Sequence, residues 1–249
     1  MYRYATVLVF SMMMFEEAFS QKQTSHIQQV WTGYFNQTRF SDRWGLWADA
    51  HIRTKEDFFT NFSTSIARAG LTYYANDHLK FTAGYAYVSH YPSGSVKVTQ
   101  PEHRPWQQVQ WHTNSKKSRV VQYFRLEERY RRKILNNDKL ADGYNFNWKL
   151  RYAFLMMLPL SNRSFEPNTL SFVVNDEVHI NFGKEIVNNY FDQNRFFLGL
   201  AYHINARDNI QFGYMNLFQQ LPSGNQYRSL HVPRVFYFHN LDLRKKQKN

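Results

Sequence analysis

Tyr144-Asn145-Phe146-Asn147-Trp148-Lys149-Leu150-Arg151-Tyr152 alternates apolar and polar side chains, and the even positions stay apolar as far as Leu158. Successive side chains of a strand point to opposite faces, so this period of two predicts a strand of about fifteen residues with one greasy and one cationic face. Soluble strands usually run about five or six residues. A long strand with an apolar outside and a charged inside predicts an all-β fold, a transmembrane antiparallel β-barrel.

The same alternation recurs along the chain. In Arg43–Thr54, Trp44, Leu46, Ala48, Ala50 and Ile52 oppose Asp49, His51 and Arg53. Further strands fit 27–35, 62–74, 79–89, 104–112, 119–131, 144–158, 170–182, 190–204, 210–218 and 230–243. That makes eleven. Single-chain bacterial barrels favour even numbers with both ends periplasmic, so about twelve strands are expected, with ten as the alternative. A missed strand is expected near the N-terminus or within 54–62. Short turns near residues 76, 115 and 207 alternate with longer segments at 90–103, 132–143, 183–189 and 219–229, as in a barrel with short periplasmic turns and longer external loops.

Two hairpins look like copies. Gly70 leads through Asn76-Asp77-His78 to Gly84, and Gly199 leads through Asn205–Asn209 to Gly213, each pair fourteen residues apart. Asn and Asp suit tight hairpins, and strand glycines mark bends or places where an aromatic ring covers bare backbone.

Composition fits one domain of 249 residues. Hydrophobic content is 43% and mean hydropathy −0.62, and past the N-terminus no apolar run reaches the roughly 18 residues of a membrane helix. Aromatics make up 18% of the chain, which interfacial girdles and rings at membrane depth account for. Residues 1–20 read as a signal peptide: Arg3, then the apolar run Ala5–Phe15, then Ala18-Phe19-Ser20 before Gln21. The barrel domain is then 21–249, and loss of Arg3, Glu16 and Glu17 raises the charge from +12 to +13. The chain has no Cys, which excludes disulfides and a lipoprotein anchor. Its cations alternate within apolar strands, so nucleic acid is not the expected partner. Outer-membrane lipid, lipopolysaccharide and the barrel assembly machinery are.

With the apolar face outward, the lumen is expected to carry Asp49, His51, Arg53, Lys80, Arg104, Arg125, Glu127, Arg129, Arg131, Lys149, Arg151, Glu177, His179, Arg195 and His203. Asp49, Glu127 and Glu177 are too few to neutralise about ten inward cations. Either Arg and Glu of adjacent strands pair across the lumen, or the excess lines a path or pocket for an anion. Within β119–131, Glu127 is expected to relieve repulsion between Arg125 and Arg129.

Catalytic motifs are missing: there is no G-x-S-x-G, no H-E-x-x-H and no Gly-rich phosphate loop. Ser229 and His239, a conceivable pair for a lipid-modifying enzyme at the wall, are ten residues apart. No enzyme activity, cofactor or metal is expected. The expected function is a narrow channel or binding barrel for small anionic solutes, against a structural barrel with a plugged, salt-bridged lumen.

The order of several short motifs resembles a family of uncharacterised Gram-negative outer-membrane barrels known only as a domain of unknown function. These are Trp31, Arg68-Ala69-Gly70-Leu71-Thr72-Tyr73, Gly84-Tyr85, Arg104-Pro105-Trp106-Gln107-Gln108, Arg125-Leu126-Glu127-Glu128-Arg129, Asn175-Asp176-Glu177, Phe191-Asp192-Gln193-Asn194-Arg195 and Gly199-Leu200-Ala201-Tyr202. The resemblance implies a barrel and an outer-membrane address, not an activity. One departure is the end of the chain: Leu241 and Leu243 are followed by Lys245, Lys246 and Lys248, where bacterial barrels usually finish on an aromatic residue.

Overall fold

In the computed structural model, residues 22–55, 61–163 and 165–244 are described. The predicted signal peptide lies outside them. The described residues form twelve strands: β1 (Gln23–Gln28), β2 (Trp31–Arg39), β3 (Trp44–Thr54), β4 (Phe62–Tyr74), β5 (Leu79–His90), β6 (Gln100–Asn114), β7 (Arg119–Asn136), β8 (Lys139–Pro159), β9 (Thr169–Phe182), β10 (Phe191–His203), β11 (Asp208–Gln220) and β12 (Gln226–Asp242). Each strand from β2 to β12 pairs with the next in sequence, and β12 pairs back onto β2, closing a barrel.

Eleven strands make that wall, and the twelfth is a continuation of one of them. The predicted strand 27–35 is divided into β1 and β2, yet both run parallel to β12 in one register. Gln23 faces Gln226 and Trp31 faces Arg234, the same offset of 203 residues (226 minus 23, 234 minus 31). Between them the Gln29 amide still bonds the His231 carbonyl, and the Val30 carbonyl accepts from Thr54. β1 therefore prolongs β2 along β12 beyond the end of β3. An odd wall has a necessary consequence. Antiparallel neighbours reverse direction at each step, so the eleventh strand points the same way as the first, and the seam is parallel. The expectation of both chain ends at one rim follows from even counts and does not hold here.

Following paired residues once around the wall from Pro159 returns to β8 at Asn145, a stagger of 14 residues (159 minus 145). With about 3.3 Å per residue and about 4.8 Å between strands, that stagger tilts the strands by roughly 40°.

Parity sorts the side chains as the sequence predicts for β8: Lys149, Arg151 and Ala153 are buried, and their even neighbours lie on the outer face. On the outside, Leu46, Phe81, Phe124, Phe196 and Val235 are each 43–50% exposed. Large apolar residues thus occupy the outer face of the closed sheet. The aromatics divide differently from the expected girdle, however. Trp31, Trp47 and Trp106 are buried inside.

One rim has four-residue turns at 40–43, 75–78, 115–118 and 204–207. In two of these an Asn side chain caps the turn: Asn76 Oδ1 accepts from the His78 and Leu79 amides, and Asn205 Oδ1 from the Arg207 and Asp208 amides. A hydrogen bond from Arg39 and that guanidinium's charge hold the turn carboxyl of Asp77 below its ordinary range. The nine-residue connection 160–168 is the exception at this rim. Its Phe165 ring lies 5.6 Å from His203 and 4.0 Å below the Arg119 guanidinium. At the other rim, segment 132–143 is not a loop. β7 and β8 extend past their outer neighbours to a two-residue turn at Asn137-Asp138, and residues 139–147 of β8 pair only with β7.

The glycine pairs are cross-strand partners, Gly70 with Gly84 and Gly199 with Gly213. The Trp106 ring covers the first pair: a Cβ on Gly84 would lie 2.9 Å from that ring and 2.2 Å from the Ala69 carbonyl oxygen. Because the nearest obstacle is backbone, the site cannot relax by a rotamer change. Gly84→Ala is expected to lower stability by about 1–3 kcal/mol, read from the urea midpoint of the protein refolded into lipid vesicles.

Candidate functional site: the lumen

All fifteen residues expected in the lumen lie on the inner face, and twelve of them line a cavity of about 1680 Å³. Asp49, Lys80 and His203 are buried beside it. The cavity reaches from Ser93 and Gly94 at the loop rim to Asn114, Ser115 and Lys116 at the turn rim.

The ion pairs centre on acids from β6, β7 and β9. Glu102, fully buried, accepts from Arg104 at 2.6 and 2.8 Å, from Arg129 at 2.7 and 3.1 Å and from Arg131 at 3.0 Å, and it lies 2.8 Å from His90 Nε2. One carboxylate thus draws together three guanidiniums, a use of the Arg fork that Lys could not reproduce. Glu127 binds Arg151 at 2.7 Å and Arg104 at 3.2 Å, with Arg125 at 3.9 Å. Its main partners are therefore on β8 and β6. Arg129 makes its direct bonds to Glu102 rather than to Glu127. Glu177 binds Arg151 at 2.9 Å and Arg195 at 3.3 Å, with His179 at 2.9 Å. Lys149 bonds Asp192 at 2.6 Å. Asp49 sits 2.8 Å from His51 and 3.8 Å from Arg68, and accepts from the Trp47 indole.

Other members stand apart. Lys80 donates to Gln37, and His203 lies 2.8 Å from Ser171 Oγ. Ser229 and His239 are not brought together: Ser229 accepts from Asn216, and His239 is paired with Asp208.

A family model described as Protein of unknown function (DUF2490) matches residues 28–228. The chain belongs to this family. The DUF2490 segment begins on the last residue of β1 and ends inside β12, so it holds all five lumen acids named above, while Arg234 lies beyond it. No curated protein and no solved structure matches the chain.

Two of those five DUF2490 acids, Glu102 and Asp192, escape sequence reading. Glu102 shares the inward parity of Arg104, but it lies in segment 90–103, read as a connection just before the predicted strand 104–112. The structure starts β6 at Gln100 and carries Pro101 and Pro105 within it. Asp192 has the wrong parity because a bulge between Phe191 and Gln193 turns both Asp192 and Gln193 inward. The inner face of β10–β12 was also not anticipated. There Phe197, Ala201, Met215, Leu217, Leu230, Val232 and Phe236 form an apolar wall with Trp31 of β2 and Val173 of β9. The lumen thus sets an apolar wall on β10–β12, interrupted by Asp192, Arg195, His203 and Arg234, beside the ionic network centred on β6–β9.

Because Glu102 holds the buried guanidiniums of Arg104 and Arg129 together with the partly exposed Arg131, its loss leaves them uncompensated. Glu102→Gln is expected to cost about 3–5 kcal/mol, whereas Asp142→Asn, at the exposed tip of β8, stays within about 0.5 kcal/mol of the parent. Paired urea titrations of the refolded variants measure both.

Proposed function

We propose that this chain is an outer-membrane β-barrel whose lumen binds or passes small anionic solutes. The observation that carries the reading is the charge balance of the inner face. Against the acids Asp49, Glu102, Glu127, Glu177 and Asp192 stand, among the described residues, Arg68, Lys80, Arg104, Arg125, Arg129, Lys149, Arg151 and Arg234 buried, Arg53 and Arg195 nearly so and Arg131 partly exposed, with Arg119 and Arg228 also lining the cavity. The first eleven cations alone leave six positive charges over the five acids. Low-dielectric walls focus such a field and raise the local concentration of counter-ions, and Arg-lined constrictions favour anions in pores.

Support for a membrane setting is the apolar outer face and the strand length. β7, β8 and β12 run 18, 21 and 17 residues, more than the roughly 9–11 that a tilted strand needs to cross the hydrocarbon. The signal-like residues 1–20 supply the export route. Lipid and lipopolysaccharide would surround the wall, and the alternating end of β12 would meet the assembly machinery. A plugged structural barrel is the rival, favoured by the ion pairs that fill the β6–β9 side.

The refolded protein in a planar bilayer, under a salt gradient, is expected to show a reversal potential of the sign set by anion permeation. Cation selectivity would refute the reading, and a silent bilayer would favour the plugged barrel. Fractionation should recover the mature protein in the outer membrane as a heat-modifiable band.

Membrane topology gives a separate check. Cysteines placed at 147, 149 and 151 should react with a water-soluble maleimide in the refolded protein, while cysteines at 148, 150 and 152 stay protected by lipid. Leu150→Arg should cost roughly 2–4 kcal/mol if this position lies near the midplane. Equal labelling at both parities would remove the membrane from the proposal.

A further inference from the structure

The apolar half of the lumen is unexplained by passage of small hydrated anions. Aqueous barrels are polar inside, and the ion pairs on β6–β9 already supply that surface. Yet Leu155, Met157, Met215, Leu217 and Leu230 face the cavity as well as one another. Leu155 and Met157 come from β8 and pack against the buried cluster, so the apolar wall extends around to the edge of the ionic one.

In the apolar cluster sits Trp31, flanked by the guanidiniums of Arg53, Arg195 and Arg234. Trp31 is the cross-strand partner of Arg53 on β3 and of Arg234 on β12, so the three side chains form one row on the inner face. Arg53 stacks 3.6 Å over the Trp31 ring, and Arg234 lies 3.4 Å over Phe197. Arg195 approaches Trp31 from β10 at 5.1 Å. Among the described residues, neither Arg53 nor Arg234 has a carboxylate within 4.0 Å. The Nε atoms of Arg53, Arg195 and Arg234 are all buried without a hydrogen-bond partner. Arg195 keeps one contact, to Glu177 at 3.3 Å. All three line the cavity.

A guanidinium held over a ring face, as Arg53 and Arg234 are at 3.6 and 3.4 Å, keeps its N–H fork open to take a carboxylate or phosphate bidentately. Stacking holds the fork in place, so less rotamer entropy is lost on binding. An anion seated there has the ionic wall on one side. On the other it has about two strands' width of Leu, Met and Phe.

We propose that the lumen holds a single-tailed anionic amphiphile. Its carboxylate or phosphate head sits among Arg53, Arg195 and Arg234 at Trp31, and its alkyl or aryl body lies along Leu155, Met157, Met215, Leu217 and Leu230. The inference rests on the reading that the lumen takes anions, and it adds the body of the solute to the charge. The cavity, at about 1680 Å³, is larger than the roughly 300–1,000 Å³ of ordinary small-molecule sites, so such a chain fits with water beside it.

The test uses the full mature chain refolded into phosphatidylcholine nanodiscs, with dansyl-undecanoate as the fluorescent probe and empty nanodiscs at equal lipid as the blank. Laurate is expected to displace the probe at micromolar concentration. Acetate and inorganic phosphate are expected to fail at a thousandfold excess, and lauryl phosphate tests whether a phosphate head is accepted as well as a carboxylate. Along the series from octanoate to laurate, affinity should rise about tenfold for every two methylenes. Arg234→Gln and Arg53→Gln should each weaken laurate at least tenfold and leave dodecanol unchanged, and Arg234→Lys should also lose affinity, though less than Arg234→Gln, because an ammonium keeps the charge without the planar fork. The chain-length series needs no variant, so it stands even if a substitution prevents refolding. Laurate binding no tighter than dodecanol, or an absence of chain-length dependence, overturns the amphiphile. If conductance remains anion-selective in that case, the underlying reading survives and only the apolar body is lost. Cation-selective conductance together with no laurate binding removes both.

Discussion

The parallel seam between β2 and β12 is the contact on which the rest of the structure depends. Every other strand pair could exist in an open, twisted sheet. Only this one removes the two free edges, and only a closed wall gives the sheet an inside. Once it forms, strict alternation assigns each residue to the outer surface or to the lumen, and a slip of one residue would exchange the two. The seam reaches from Gln23 on β1 to Arg39 on β2 because β1 prolongs β2 along β12. It is therefore longer than β2 alone would make it, which compensates for the somewhat weaker pairing of parallel strands.

The interior then has to satisfy two incompatible demands. Charges taken out of water need partners, and the backbone of a narrow barrel leaves little room for them. On β6–β9 the solution is sharing: one carboxylate serves several guanidiniums, and Arg104 and Arg151 each bridge two acids. Networks of this kind contribute modestly when intact and are costly to break singly. On β3 and β12 the solution is different. Arg53 and Arg234 rest on aromatic rings, which accept a cation without neutralising it. The cations of the ionic wall thus share its acids, whereas among the described residues Arg53 and Arg234 have no carboxylate within 4.0 Å.

How much of this was legible in the sequence depended on whether a strand has two unlike faces. β3 and β8 do, and their inner residues, Asp49, His51, Lys149 and Arg151, follow from parity alone. β11 and β12 do not: Tyr214 and Phe212 outside are as apolar as Met215 and Leu217 inside, so alternation gives no sign of which side is which. The apolar wall was invisible for that reason. The paired glycines were legible as a spacing, and the ring lying over them was expected in kind, but its identity as Trp106 needed the register. Asp192 could not be found by any count of two, because a bulge resets the count. The seam itself left no local trace, since its partners are 203 residues apart.

That separation bears on how the barrel is made. Ten of the eleven wall contacts join neighbours in sequence, and most of these hairpins close over loops of a few residues. The seam closes over nearly the whole chain, an entropic handicap of about 3 kcal/mol relative to a four-residue hairpin by the logarithmic dependence on loop length. Non-local pairing of this kind slows folding. The wall should accordingly assemble as a curling ribbon, hairpin after hairpin, with β2 and β12 exposed as sticky margins until the final step. Any factor that shields those two margins acts on the slowest stage of biogenesis, and it can do so without touching the lumen.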